Sequence, residues 1–300
     1  MKKKTYLFAL MAMALTLGSC SDNENGIGGE TSKYITVSTS IGNMTRVATD
    51  ANGGQTFEEG DEISVYAWIG APTVAPETRE RVVNNAINKL TNGSWISTPQ
   101  MLWKNNRDKH YFIGVYPTAA ISDLSAGEYT FDVNKQTESD LLVAVNKDGL
   151  SYNVDEQQPV PLTFTHVMAK LVVNLTYKNQ WGGIPTVEKV VVGNAAKEAT
   201  INYLTKVVTP STTAKEDFSL PEITENTKYV SVIIPQEDVT QLTIVIGGKN
   251  FVYDNGTPFK LESGKITTVN LEVGRDEIKL GDVKITNWED GSTFSGEALN

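Results

Sequence analysis

Cysteine and histidine are nearly missing from these 300 residues: Cys20 stands alone, and only His110 and His166 supply imidazole. A single cysteine excludes an intramolecular disulfide. Two histidines far apart in sequence leave no His/Cys cluster for a metal. There is no G-x-S-x-G nucleophile turn, and no G-x-x-x-x-G-K-[ST] or G-x-G-x-x-G phosphate cradle. Long helical periodicities are lacking. The one long apolar run, Leu7 to Leu17, is too short to cross a bilayer as a permanent helix. Acids outnumber bases 36 to 26, a formal charge of −10. Lys2, Lys3 and Lys4 precede the run and no acid precedes Cys20, so the remainder is more acidic still. Such a body repels nucleic acid and anionic membrane surfaces, so no nucleic-acid partner is expected.

Nothing that remains selects a reaction centre. Carboxylates are plentiful but scattered, and no pair is singled out for glycoside hydrolysis. Asp50-Ala51-Asn52-Gly53 and Asp254-Asn255-Gly256 lack the spacing of a calcium loop and read as turns. His166 lies in an apolar strand and reads as a satisfied, half-buried side chain. No catalytic residue, metal site or cofactor is expected, and the chain is not read as an enzyme.

What is present is strand signal. Hydrophobic content of 40% and charged content of 21% suit a globular protein. In Tyr34 to Val47, Ile35, Val37 and Ile41 alternate with Tyr34, Thr36, Ser38 and Ser40, the period of a strand with one buried face. A polar run to Gln55 follows and contains Arg46. Ile63, Val65 and Ala67 mark one face of the next strand. Val83 to Leu90 and Trp95 to Trp103 flank Asn92-Gly93, which favours a hairpin over a helix. Tyr111 to Tyr116 stops at Pro117. Ala195 to Ala199 reads as one short helical turn. Leu242 to Ile246 and Phe251 to Tyr253 flank Gly247-Gly248 and make a hairpin.

About seven short strands in each half argue for two β-sandwiches in tandem. The expected organisation is a signal segment at 1–19, a flexible tether at 20–32, sandwiches at 33–161 and 162–274, and a strand extension at 275–300. In the extension, Ile278, Leu280, Val283 and Ile285 carry the alternation, with its phase slipping at Gly281-Asp282. That slip predicts two short strands or one bulged strand.

Leu17-Gly18-Ser19-Cys20 resembles a bacterial lipobox, in which the signal is cut before the cysteine and lipid is attached to it. An ordinary secretory signal with an incidental cysteine is the alternative. Multiple acyl chains would hold the protein firmly to a membrane. Ser21 to Ser32 is acidic and Gly-rich, as a tether requires. It also resembles the export signal of surface lipoproteins in the Bacteroides group.

Several segments, in order, resemble the fimbrillin family, subunits of the type V pili of Bacteroides-type bacteria. They are the lipobox; Ile35 to Arg46; Phe57-Glu58-Glu59-Gly60-Asp61-Glu62-Ile63; Phe112 to Pro117; Asp140 to Ala144; Phe164-Thr165-His166 with Ala169-Lys170-Leu171; and Ile285-Thr286-Asn287-Trp288-Glu289-Asp290-Gly291 with Gly296-Glu297-Ala298. The resemblance covers nearly the whole chain and implies an all-β fold of two transthyretin-like Greek-key sandwiches. It implies outer-membrane export with lipid on Cys20, then removal of the first strand by an arginine-specific protease. Here the cut would fall between Arg46 and Val47. Ile35, Val37 and Ile41 would form the displaced strand, and Ile278, Leu280, Val283 and Ile285 the donor strand. Partners would be other fimbrial subunits, in a homo- or hetero-polymer, with host or bacterial surface ligands beyond the fibre. An alternative of another class is a monomeric surface lipoprotein binding glycans. Trp68, Trp95, Trp103, Trp181 and Trp288 could serve it as a stacking platform, although tryptophans in sandwiches mostly pack.

Overall fold

The computed structural model describes residues 33–42, 56–153 and 158–288. Cys20, Arg46 and Val47 lie outside the described residues, as do the expected signal segment, the tether as far as Ser32, and the tail beyond Trp288.

The N-terminal half contributes β1 (Val37–Ile41), β2 (Glu62–Ile69), β3 (Arg81–Thr91), β4 (Ser94–Thr98), β5 (His110–Tyr116), β6 (Gly127–Thr130), β7 (Leu142–Leu150) and β8 (Val160–His166). The C-terminal half contributes β9 (Ala169–Tyr177), β10 (Val187–Ala196), β11 (Glu198–Asn202), β12 (Val207–Pro210), β13 (Lys215–Ser219) and β14 (Glu222–Thr224). It continues with β15 (Lys228–Ile233), β16 (Gln236–Ile246), β17 (Lys249–Leu261), β18 (Lys265–Val273) and β19 (Ile278–Asn287). Among the described residues, helix is confined to single turns such as Gln136–Ser139. The fold is all-β, as expected.

One seven-stranded sheet runs β1-β8-β7-β5-β2-β3-β4. Its central strands are nearly continuous apolar runs because both faces are covered. Ile63, Val65 and Ala67 of β2, Phe112 of β5 and Leu162 and Phe164 of β8 point into one core. Tyr66, Trp68, Ile113, Val115 and Val143 point into the other, which they share with β9, β10, β16 and β18. A Cβ on Gly114 would stand 2.6 Å from Cζ of Phe164, so only glycine admits that ring. The C-terminal half adds sheets ordered β13-β10-β16-β17 and β14-β15-β9-β18-β19.

The two halves are sewn together more closely than a tandem pair needs to be. β6 pairs antiparallel with β11, across the halves. The expected boundary at 161/162 falls inside β8, whose Leu162 and Phe164 pair with Thr39 and Ile41 of β1. The chain changes sheet between His166 and Ala169.

Local readings fare unevenly. The β3–β4 hairpin turns on Asn92-Gly93, both with positive φ (50° and 73°), although β4 ends at Thr98, before Pro99. The helical turn expected at Ala195 to Ala199 is instead extended. Ala195 and Ala196 pair with Glu216 and Lys215, and Asn194 takes φ 54° at a break in that ladder. Both alanines are buried, and tertiary packing outweighs alanine's weak helical preference.

Candidate assembly site at the first and last strands

Residues 33–41 enter the seven-stranded sheet at its margin. Val37 to Ile41 run parallel to Val160 to Phe164. Thr36 O accepts from Val160 N at 2.8 Å, and Gly42 N donates to Phe164 O at 2.8 Å. The preceding residues bond on the opposite side. Ile35 N donates to Met101 O at 2.9 Å, and Trp103 N donates to Lys33 O at 3.1 Å. This short segment therefore bridges β8 and the stretch at 101–103.

Its side chains alternate as the sequence requires. Ile35, Val37 and Ile41 are buried, whereas Thr36, Ser38 and Ser40 are exposed. Thr39 also points inward, and Trp95 Nε1 donates to its Oγ1 at 3.0 Å. The indole is held edge-on against Phe57, with centroids 5.3 Å apart and planes at 83°. Phe57 in turn packs edge-on against Phe164 and Tyr116. Each fully buried aliphatic is worth roughly 1.5–3 kcal/mol. Ile35, Val37 and Ile41 together hold this segment with on the order of 5–9 kcal/mol before ordering costs.

The last strand is held differently. β19 pairs antiparallel with β18 along its whole length, from Val273 with Ile278 to Lys265 with Asn287. The register breaks between Val269 and Leu271, opposite Gly281 and Asp282, so the expected phase slip is one bulged strand. Leu280, Val283 and Ile285 are 36%, 40% and 39% exposed, and Ile278 is half-buried. This strand keeps its place by backbone bonds, with little apolar burial.

Trp288, just beyond β19, is the exception. Its N–H donates to Gly264 O at 2.9 Å. Its ring lies flat on His166, with centroids 3.9 Å apart and planes at 7°. Lys170 Nζ sits 5.2 Å from the indole centroid, at cation–π distance. His166 Nδ1 lies 2.8 Å from Asp140 Oδ1. Burial pulls the Lys170 ammonium down to about 8, partly opposed by Asp140 and reinforced by Lys228. Asp140, His166, Lys170 and Trp288 all lie in segments that carry the family likeness, but sequence distance hid their contact. The Trp95–Thr39 bond was hidden likewise; the one sequence signal was a threonine at an inward position.

His110 has a structural task. Its Nε2 accepts from Lys104 N at 3.1 Å, which leaves Nδ1–H to donate to Asp108 O, also at 3.1 Å. Burial lowers its pKa, which favours the neutral ring that this bonding needs. Among the described residues, no group of three or more His, Cys, Asp or Glu side chains could hold a metal ion. None of the five tryptophans is exposed: Trp68 and Trp288 are buried, and Trp95, Trp103 and Trp181 half-buried.

Comparison with known proteins bears on the fold and the family. A candidate cell adhesion protein from Bacteroides uniformis superposes with a TM-score of 0.61 at 18% identity, over 81% of this chain and 100% of that one. A second, from Bacteroides ovatus, gives 0.62 at 18% identity, over 85% and 98%. A fimbrial protein from Bacteroides vulgatus gives 0.52 at 12% identity, over 84% and 99%. At such identities the likeness speaks for the fold. No curated protein matches the sequence. The family profile described as Fimbrillin-like matches residues 45–288, most of the chain. By that match, the chain belongs to the fimbrillin-like family.

Proposed function

We propose that this protein is a structural subunit of a cell-surface fimbria, with β1 as a removable placeholder. In this reading the chain is exported to the outer membrane with lipid on Cys20. An arginine-specific protease cuts between Arg46 and Val47, β1 leaves, and a strand from a neighbouring subunit takes its seat. Adhesion to host or bacterial surfaces then follows from the fibre. The subunit acts by binding and assembly, without catalysis.

The observation that carries this reading is the contrast between how β1 is seated and how it is connected. Ile35, Val37 and Ile41 fill the core, yet β1 stands at the margin of its sheet with β8 as its ladder neighbour. The first arginine of the chain follows five residues after Ile41. An edge strand can leave without breaking a ladder between two others, and its loss exposes paired backbone groups plus apolar pockets. Both are what strand addition consumes. The donor proposed is Ile278 to Ile285, of whose aliphatics Leu280, Val283 and Ile285 are already exposed.

The test is limited digestion of the lipid-free full chain with an arginine-specific protease. A new N-terminus at Val47, together with an oligomer ladder that survives cold detergent, is expected. Cleavage elsewhere, or a cut chain that stays monomeric, overturns the reading.

A further inference from the structure

We propose that the seat of β1 selects its occupant at one position, and that Trp95 is the residue that selects. The inference rests on the placeholder reading above. Four side chains of the segment point inward: Ile35, Val37, Thr39 and Ile41. Three are aliphatic, and the third in order is not. At that position Trp95 directs its indole N–H at the strand, with Thr39 Oγ1 accepting at 3.0 Å. An indole nitrogen donates and never accepts. The ring cannot readily turn away, because Phe57 packs edge-on against it and Phe57 is itself held by Tyr116 and Phe164. The third position of the seat therefore calls for an oxygen acceptor. An aliphatic side chain there leaves the donor half-buried without a partner.

Direction is set as well. The occupant runs parallel to β8, as Val37 to Ile41 do. Read in that direction, the required order is apolar, apolar, acceptor at alternate positions, as in Ile35-Thr36-Val37-Ser38-Thr39. The tail of this chain carries the same order twice in succession: Ile278-Lys279-Leu280-Gly281-Asp282 and Val283-Lys284-Ile285-Thr286-Asn287. Asp282 or Asn287 would take the bond from Trp95, according to register, and the place of the buried Ile41 would then meet Lys284 or Glu289. The occupant assigned to the seat is therefore the tail of a second copy of this chain, inserted parallel to β8 and matching the seat at its first three positions. A strand with valine or leucine at the third position binds more weakly.

The experiment uses the full chain after arginine-specific cleavage, and synthetic peptides as probes. A peptide of residues 33–42 should rebind, and the same peptide with Thr39→Val should bind roughly tenfold more weakly. In the Trp95→Phe protein that gap should close to within about twofold. A peptide of residues 278–287 should also bind. Asp282→Val or Asn287→Val should weaken it in the wild-type protein and leave it unchanged in Trp95→Phe. If the 33–42 peptide fails to rebind, the placeholder reading itself is lost. If it rebinds and Thr39→Val binds equally well, the placeholder stands and the selection by Trp95 is overturned. Should Trp95→Phe not survive cleavage, a double-mutant cycle of Thr39→Val and Trp95→Phe in the uncut chain decides, by thermal unfolding. Additive effects there overturn the proposal.

Discussion

The first and last strands of this protein are both edges, and they are held by opposite means. The segment of residues 33–42 that holds β1 buries Ile35, Val37 and Ile41 and bonds to neighbours on both sides. β19 has a longer ladder on β18, but three of its four aliphatics, Leu280, Val283 and Ile285, remain exposed. A backbone hydrogen bond contributes modestly once its exchange with water is counted, whereas a buried aliphatic side chain contributes more. Ladder length is therefore a poor guide to how firmly a strand is held. The shorter strand is the better anchored of the two. The longer one leaves most of its apolar face partly exposed.

The sharpest way to break this contrast is to strip the aliphatics from each strand. Ile35→Ala, Val37→Ala and Ile41→Ala combined should cost on the order of 6 kcal/mol, enough to threaten folding. Leu280→Ala, Val283→Ala and Ile285→Ala combined should cost under about 1 kcal/mol. Chemical denaturation of the two triple variants checks the pair. Equal losses would mean that β19 is packed rather than laid on.

Trp288 is where the last strand behaves like the first. Trp288→Ala should destabilise by roughly 3–5 kcal/mol if the tail is part of the cooperative core, by loss of the ring buried on His166. It should also speed amide exchange along 278–287 relative to β18. Unchanged exchange would show that the ladder alone holds β19.

Lys170 beneath that ring gives the contrast a pH dependence. Its folded-state pKa is about 8, below the ordinary lysine value near 10.4. Below pH 8 both states are protonated and the burial penalty is complete. As pH rises from 8 towards 10.4 the folded form sheds its proton first, so stability should climb, by on the order of 2–3 kcal/mol. Buried tyrosines act in the other direction. Burial pushes Tyr116 and Tyr203 up to about 12, so stability they contribute near neutrality is lost as pH rises beyond 10. Stability should pass through a maximum between about pH 9 and 10, and Lys170→Met should flatten its rising limb. Thermal unfolding from pH 7 to 11 measures both effects.

The smallest effect is expected on the exposed face of β19. Val283→Lys and Ile285→Lys should each change monomer stability by less than about 0.5 kcal/mol. In cleaved chains they should shorten the detergent-resistant ladder. A normal ladder would remove these two side chains from the donor strand.

Much of this was legible from residue order. Period-two alternation located β1, because an edge strand has one wet face and one dry face. Asn92-Gly93 and Gly247-Gly248 located two hairpins, because positive φ is a local steric demand. Gly281-Asp282 marked the bulge through its break in phase. Misreadings arose where packing overrode local preference. Ala195 and Ala196 look helical by composition, yet they line a shared core as strand. The expected boundary at 161/162 falls beside Pro159 and Pro161, yet β8 belongs to the sheet of the strands before it. Proline is tolerated at the start of a strand, so it does not always mark a change of domain.

By itself, the order of residues determined most of the strands, their faces and the turns, since each follows from local sterics and solvation. Only the tertiary structure decided that Trp95 meets Thr39, that Trp288 lies on His166, and that one core runs through both halves. Those contacts join residues that no local pattern relates. They exist because strands distant along the chain must share apolar faces, and the partner of each is whichever side chain the pairing brings opposite.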